Sequence, residues 1–90
     1  MSEYEGSAVL LQDGVEIQLH TTAFSVRYDR VATWYGSVET TDKPLRAGNA
    51  IIVFPNGARG AVELAQPQHT RAGELAAVSG YGDVPRWSAE

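Results

Sequence analysis

The sequence predicts an all-β domain, a small antiparallel barrel or curled sheet of about six strands. Two segments that contain clear hairpin turns, and the absence of a helical apolar period, support this prediction. No window of about eleven residues repeats its apolar side chains at the 3.6-residue spacing of a helix. Short apolar runs recur instead, separated by turns roughly 8–12 residues apart, which is typical of small barrels and sandwiches. The 90 residues form one predicted domain, 1–90, near the size at which a single core becomes sufficient.

The first hairpin is centred on Asp13-Gly14, a dipeptide typical of a type I′ turn. After this hairpin the apolar positions change from odd to even numbers. A bulge or bend near Thr22-Ala23 would explain the change of phase, and such bends let a sheet curl into a barrel. The predicted register pairs Gln12 with Val15, Leu10 with Ile17, and Ala8 with Leu19.

The second hairpin is centred on Pro55-Asn56-Gly57. A two-residue turn on Asn56-Gly57 would require Pro55 to donate a backbone N–H that proline lacks. We therefore expect a type I turn on Pro55 and Asn56, followed by Gly57 in the left-handed region as a bulge. The predicted register pairs Phe54 with Ala58, Ile52 with Gly60, and Ala50 with Val62. Gly60 then leaves room on the inner face for a large ring such as that of Trp34.

The remaining chain predicts two further strands and three irregular segments. Residues 33–40 alternate as a strand, and residues 41–49 and 66–72 are predicted loops. The best helical candidate, 71–79, contains Gly73, and we favour a strand over 74–79. Residues 80–90 are predicted to be irregular, because two glycines and Pro85 disfavour a hydrogen-bonded ladder.

Composition and charge exclude several classes of function. The net charge is −4 and comes entirely from the residues before Arg27, so no basic face for nucleic acid is expected. No cysteine is present, which excludes thiolate chemistry and disulfides. The first residues, MSEYEGSAVLL, predict no signal peptide, and no run approaches the roughly 18 apolar residues of a membrane span. We expect a cytoplasmic protein.

Residues that could perform chemistry are few and scattered. His20 lies on the polar face of a strand and His69 in a loop, with no pattern of further metal ligands. The string Gly57-x-x-Gly60 precedes a strand, whereas phosphate-binding loops open a helix. No nucleophile–base pair stands out. The sequence therefore predicts no enzyme, no metal and no cofactor.

An aromatic segment, Trp34-Tyr35-Gly36, has two interpretations. The first is a core Trp34 with a satisfied indole N–H and a half-exposed Tyr35. The second is a small barrel that binds a flat hydrophobic ligand between Phe24, Tyr28, Trp34 and Tyr35. The second interpretation is the alternative function.

The outward faces of the two hairpins carry apolar residues where a solvated sheet should be polar. In the predicted registers Val9 and Leu11 point outward from the first hairpin, and Ile51 and Val53 from the second. A contiguous patch of this kind indicates an association surface, either for a homodimer or for a protein partner. We include Trp87 in this partner-binding set. The competing interpretation is that the C-terminal segment, with Tyr81, Val84 and Trp87, folds over the patch.

Four motifs connect the chain to a known family: Tyr4-x-Gly6-x-Ala8, Trp34-Tyr35-Gly36, Pro55-Asn56-Gly57-x-x-Gly60, and Gly80-Tyr81-Gly82 followed by Pro85. With them the chain resembles a small actinobacterial all-β domain of unassigned function. That domain occurs alone or fused behind flavin-dependent monooxygenases that oxidise ketones. Thr33 stands where the family pattern has a histidine. The resemblance implies an accessory or binding module beside a flavin-dependent oxidoreductase, and it supplies no catalytic residues.

Overall fold

The computed structural model describes residues 3–28, 30–71 and 73–87, without the side chains at positions 21 and 28. Within these ranges the chain is all-β and contains no helix. Its strands are β1 (Glu3–Gln12), β2 (Val15–Tyr28), β3 (Ala32–Thr40), β4 (Gly48–Val53), β5 (Arg59–Leu64), β6 (Gln68–Thr70) and β7 (Gly73–Tyr81). Accordingly, none of the described segments is a helix able to cross a membrane.

The strands form one antiparallel sheet that closes on itself. Their order is β3-β2-β1-β4-β5-β7-β6, and β3 also pairs with β7. Six strands therefore make a closed barrel, which confirms the predicted fold class, and β6 pairs with β7 next to the end of β5. Closure removes most of the free strand edges that an open sheet would expose.

Both hairpins adopt the predicted registers. Asp13 and Gly14 have φ values of 53° and 76°, as a type I′ turn requires. In the second hairpin the Gly57 N–H donates to the Phe54 carbonyl at 2.9 Å, and the Phe54 N–H donates to the Ala58 carbonyl at 2.8 Å. Gly57 has φ 91°, so the predicted left-handed bulge is confirmed.

The change of phase in β2 comes from a bulge that lies slightly earlier than predicted. Gly6 pairs with Thr22 and Ala8 pairs with Leu19, so Ser7 of β1 lies opposite two residues of β2. The bulge is therefore at positions 20–21 rather than at Thr22-Ala23. The Thr22 hydroxyl donates to the Gly6 carbonyl at 2.7 Å and fastens the two strands beside the bulge.

Two segments predicted to be irregular form strands. Residues 68–70, inside the predicted loop 66–72, make β6 against the start of β7. Gly80 and Tyr81 continue β7 and pair with Val62 and Ala61 of β5. The expectation that glycine would prevent this ladder was wrong, because Gly80 lies where a side chain would collide with the core.

The core is aromatic at its centre. Phe24, Trp34, Phe54 and Trp87 are each at most 5% exposed, and their ring centroids lie 5.4–5.9 Å apart in the contacting pairs. A Cβ atom on Gly60 would lie 2.5 Å from Trp34 Cη2, which confirms that Gly60 makes room for this ring. The Trp34 indole N–H is buried without an acceptor among the described residues, contrary to the expectation that it would be satisfied.

The half of β2 that extends beyond β3 is covered by side chains from the last residue of β3 and from the segment after it. The Gln18 N–H donates to Asp42 Oδ2 at 2.9 Å, and the Thr40 hydroxyl donates to the Gln18 carbonyl at 2.5 Å. Lys43 Nζ donates to the Glu16 carbonyl at 2.7 Å. These backbone groups of β2 are therefore bonded without a neighbouring strand.

The bulge at Gly57 makes a testable prediction about stability. No atom lies within 4 Å of a Cβ built at this position, so replacing Gly57 with valine adds only backbone strain. We expect the free energy of unfolding to fall by about 1–3 kcal/mol, measured by urea denaturation. Gly57→Asn should cost less, because asparagine tolerates positive φ. Equal stability of the valine variant and the wild type would show that this conformation is not required.

Candidate interaction surface

The four apolar residues predicted to point outward lie side by side on the barrel. β1 pairs with β4, and this pairing sets Val9 opposite Val53 and Leu11 opposite Ile51. Ile51 is 37% exposed, and the other three are half-buried. Directly opposite side chains on one face of a sheet are about 5 Å apart, so the four form one continuous surface.

Two residues that the sequence did not assign to this surface extend it. Ile51 pairs with Ala61, and Ala61 pairs with Tyr81, which is 50% exposed. An apolar row thus crosses β1, β4, β5 and β7. A groove of about 520 Å³ runs along it, lined partly by Leu11, Ile51, Ala61 and Tyr81. We use the name outer patch for Val9, Leu11, Ile51, Val53, Ala61 and Tyr81.

Charged and polar side chains border the outer patch. Arg59 lies beside Val53, and Glu63 lies two residues beyond Ala61 on the same exposed side of β5. The Tyr81 hydroxyl donates to Glu63 Oε1 at 2.6 Å. This hydrogen bond to a carboxylate is the main reason why the pKa of Tyr81 is raised above its usual value, with partial desolvation and the Glu63 charge adding to it. On the β1 side of the patch, Glu16 lies opposite Leu11.

Trp87 does not belong to this surface, and this part of the prediction was wrong. Its side chain is 5% exposed, stacks on Phe24 with ring centroids 5.8 Å apart, and contacts Trp34 at 5.9 Å. The Trp87 indole N–H is also buried without an acceptor among the described residues. A large aromatic ring at the end of a small barrel gains more from filling the interior than from lying on the outside.

The described part of the C-terminal segment also does not cover the outer patch. Val84 packs against the core, and Pro85 is buried. The Asn56 side-chain amide donates to the Arg86 carbonyl at 2.7 Å, which fastens the segment to the β4–β5 turn. Tyr81 lies on the patch through strand pairing with Ala61. Up to residue 87, therefore, the segment closes the barrel end and leaves Ile51 exposed.

The alternative ligand site is not assembled as the sequence suggested. Phe24 and Trp34 are each 1% exposed inside the barrel, whereas Tyr35 is 46% exposed on the outside. The Tyr28 side chain lies outside the described residues. Trp34 and Tyr35 are neighbours in one strand, so they point to opposite faces of the sheet. The space around the Trp34 ring is occupied, since a Cβ on Gly80 would lie 2.0 Å from Trp34 Cε2.

Other polar groups on the barrel do not converge. His20 and His69 are both exposed, and His69 Nδ1 lies 3.7 Å from Glu74 Oε2. Within residues 3–28, 30–71 and 73–87, no group of three His, Asp or Glu side chains could hold a metal ion. A polar cleft of about 400 Å³ beside His69 contains charges of both signs, including Asp42, Lys43 and Arg71.

The two additional patch residues differ in how far they could be predicted. The outward orientation of Ala61 could be predicted from the register of the second hairpin, because Ala61 pairs with Ile51 and therefore lies on the same face of the sheet. Tyr81 depends on pairing between β5 and β7, which are separated by β6 in the chain. No local turn signal sets that pairing.

Comparison with known proteins gives no match to a family model, to a curated protein or to a solved structure. The resemblance to the actinobacterial domain therefore stays a prediction.

Proposed function

We propose that the protein is a non-catalytic, cytoplasmic association module that binds a second copy of itself through the outer patch. The contiguous apolar row across four strands is the observation that supports this proposal. The exposed face of an antiparallel sheet is normally polar, and a continuous apolar patch on it is typical of an interaction site. Tyr81 adds an aromatic side chain of the kind enriched at the energetic centre of interfaces.

The size of the patch fits a moderate contact. Covering it would remove on the order of 200–400 Å² of apolar surface per chain, which at about 25 cal/mol per Å² is roughly 5–10 kcal/mol before the cost of association. A standard interface covers roughly 800 Å² per partner. An interface of that size, made of the outer patch and the polar residues around it, would cover about one seventh of the 5721 Å² surface of this chain. We therefore expect a micromolar symmetric dimer.

Analytical ultracentrifugation over a concentration series tests the proposal. The wild type should form a dimer at tens of micromolar, and Leu11→Lys combined with Val53→Lys should remain folded and monomeric. Ile51→Lys is a second test at the most exposed large aliphatic side chain of the patch. Val31→Lys is the matched control, because Val31 is 70% exposed and lies outside the patch, so this variant should dimerise normally.

Two results would contradict self-association through the patch. One is a wild type that sediments as a monomer at every concentration. The other is a folded Ile51→Lys variant that dimerises as tightly as the wild type. Turnover of a metabolite by the purified protein, lost when one polar residue is changed without unfolding, would contradict the non-catalytic part of the proposal.

The resemblance implies a different occupant, a flavin-dependent oxidoreductase. A wild type that is monomeric alone, together with a photo-crosslink from position 51 to such an enzyme in cells, would favour that occupant over a second copy. The alternative function, a hydrophobic-ligand barrel at Trp34, has less support because Phe24 and Trp34 are buried in the packed core.

A further inference from the structure

The outer side of β5 carries one positive and one negative charge at equal distances from Ala61, a residue of the outer patch. Arg59 and Glu63 flank Ala61, each two residues away, and all three are exposed. At about 3.3 Å per residue, each charge lies roughly 7 Å from Ala61 along the strand. A rotation of 180° about an axis that lies in the plane of the sheet and crosses β5 at Ala61 would exchange the positions of the Arg59 guanidinium and the Glu63 carboxylate.

β4 lies at the centre of the outer patch, because it pairs with β1 on one side and with β5 on the other. Two convex barrels that meet through the patch therefore touch around β4. A symmetric dimer needs a two-fold axis in the plane of contact, and the two limiting directions of that axis are along β4 and across it at the level of Ile51 and Ala61.

The two orientations place Arg59 in different surroundings. An axis along β4 sets β5 of one copy against β1 of the other, so that Arg59 faces Val9 and its charge is desolvated without a partner. An axis across β4 sets β5 against β5 with the strands reversed, so that Arg59 faces Glu63 of the second copy. Symmetry makes this ion pair twice. Leu11 and Ile51 then face their own counterparts in the second copy, whereas Val9 and Val53 lie opposite Asp13 and Asn49.

We propose that two copies associate with their strands reversed, with Arg59 of each copy paired to Glu63 of the other. This inference rests on the proposed self-association and names the residues that select the orientation. The Tyr81 hydroxyl already binds Glu63 Oε1 and holds the carboxylate at the border of the patch. Oε2 is then the oxygen that accepts from the Arg59 guanidinium.

A charge-swap experiment tests the pairing. Arg59→Glu and Glu63→Arg, each alone, should raise the dimer dissociation constant about tenfold, because symmetry places each change at two contacts. The double variant Arg59→Glu with Glu63→Arg should return the dissociation constant close to the wild-type value. Arg86→Glu is the matched control, since Arg86 is an exposed arginine outside the patch, and its dissociation constant should not change.

The outcomes separate this inference from the self-association on which it rests. A monomeric wild type would contradict both. A wild-type dimer that Leu11→Lys with Val53→Lys abolishes, but that the charge swap fails to restore, would contradict only the reversed orientation. A dissociation constant that falls when Arg59 is replaced with alanine would favour the axis along β4, in which Arg59 has no partner. Thermal unfolding of each variant shows that the folded monomer is intact.

Discussion

Replacing Gly80 with alanine is expected to destabilise the barrel strongly, although it adds only one methyl group. A Cβ at this position would lie 2.0 Å from Trp34 Cε2 and 2.2 Å from Cδ2. The Trp34 ring cannot move aside, because it is 1% exposed and Phe24 and Trp87 pack against it. We expect a loss of about 3 kcal/mol or more in the free energy of unfolding, at or above the usual range for overpacking. For a domain of this size that is a large part of the total stability.

Urea denaturation of the variant measures this loss, and two variants control for its cause. Gly14→Ala adds a methyl group where no atom lies within 4 Å, so its cost comes from the backbone alone. Trp34→Leu removes the ring with which the new methyl group collides, and the cost of Gly80→Ala should be much smaller in that background. If the two changes are additive, the collision with Trp34 is not the cause.

Replacing Trp87 with alanine is the second large effect. Removing a buried aromatic ring from a packed core typically costs about 3–5 kcal/mol, whereas a change on the surface stays within about 0.5 kcal/mol. The position of Trp87 among Phe24, Trp34 and Phe54 predicts the first value. Tyr81→Ala, which removes an aromatic ring from the outer patch, should change the stability of the monomer far less.

Calorimetry or denaturant unfolding of the two alanine variants distinguishes a core Trp87 from a surface one. Trp87→Phe should be milder than Trp87→Ala, because it keeps much of the ring volume and removes a buried N–H that has no acceptor among the described residues. A stability change near zero for Trp87→Ala would mean that the ring does not support the core.

The features that the sequence predicted correctly depend on contacts close in the chain. Asp13-Gly14 and Pro55-Asn56-Gly57 each define a turn, a turn defines a register, and the register decides which side chains face inward. From the second register alone, Gly60 could be placed on the inner face as the space for a large ring. The outward direction of Val9 and Leu11 follows from the first register in the same way.

The features that could not be predicted depend on pairing between distant segments. No sequence signal in or near β1 or β4 predicts that these two strands pair with each other. That pairing brings Leu11 beside Ile51. Gly80 looks like a strand breaker until the position of Trp34 is known. Hydrophobicity alone is compatible with Trp87 on the outer surface or in the core. Its place in the core depends on how the C-terminal segment closes the end of the barrel.

The covered edge of β2 limits how copies of this chain can join. A strand that offers free N–H and C=O groups can template further strands and lead to fibrils. The N–H and the carbonyl of Gln18 and the carbonyl of Glu16 are already bonded by Asp42, Thr40 and Lys43. A strand of another chain therefore cannot form backbone hydrogen bonds with these groups, and any contact beside this edge is made by side chains. A side-chain contact between two like faces is complete with two molecules, which favours a closed pair over a growing fibre.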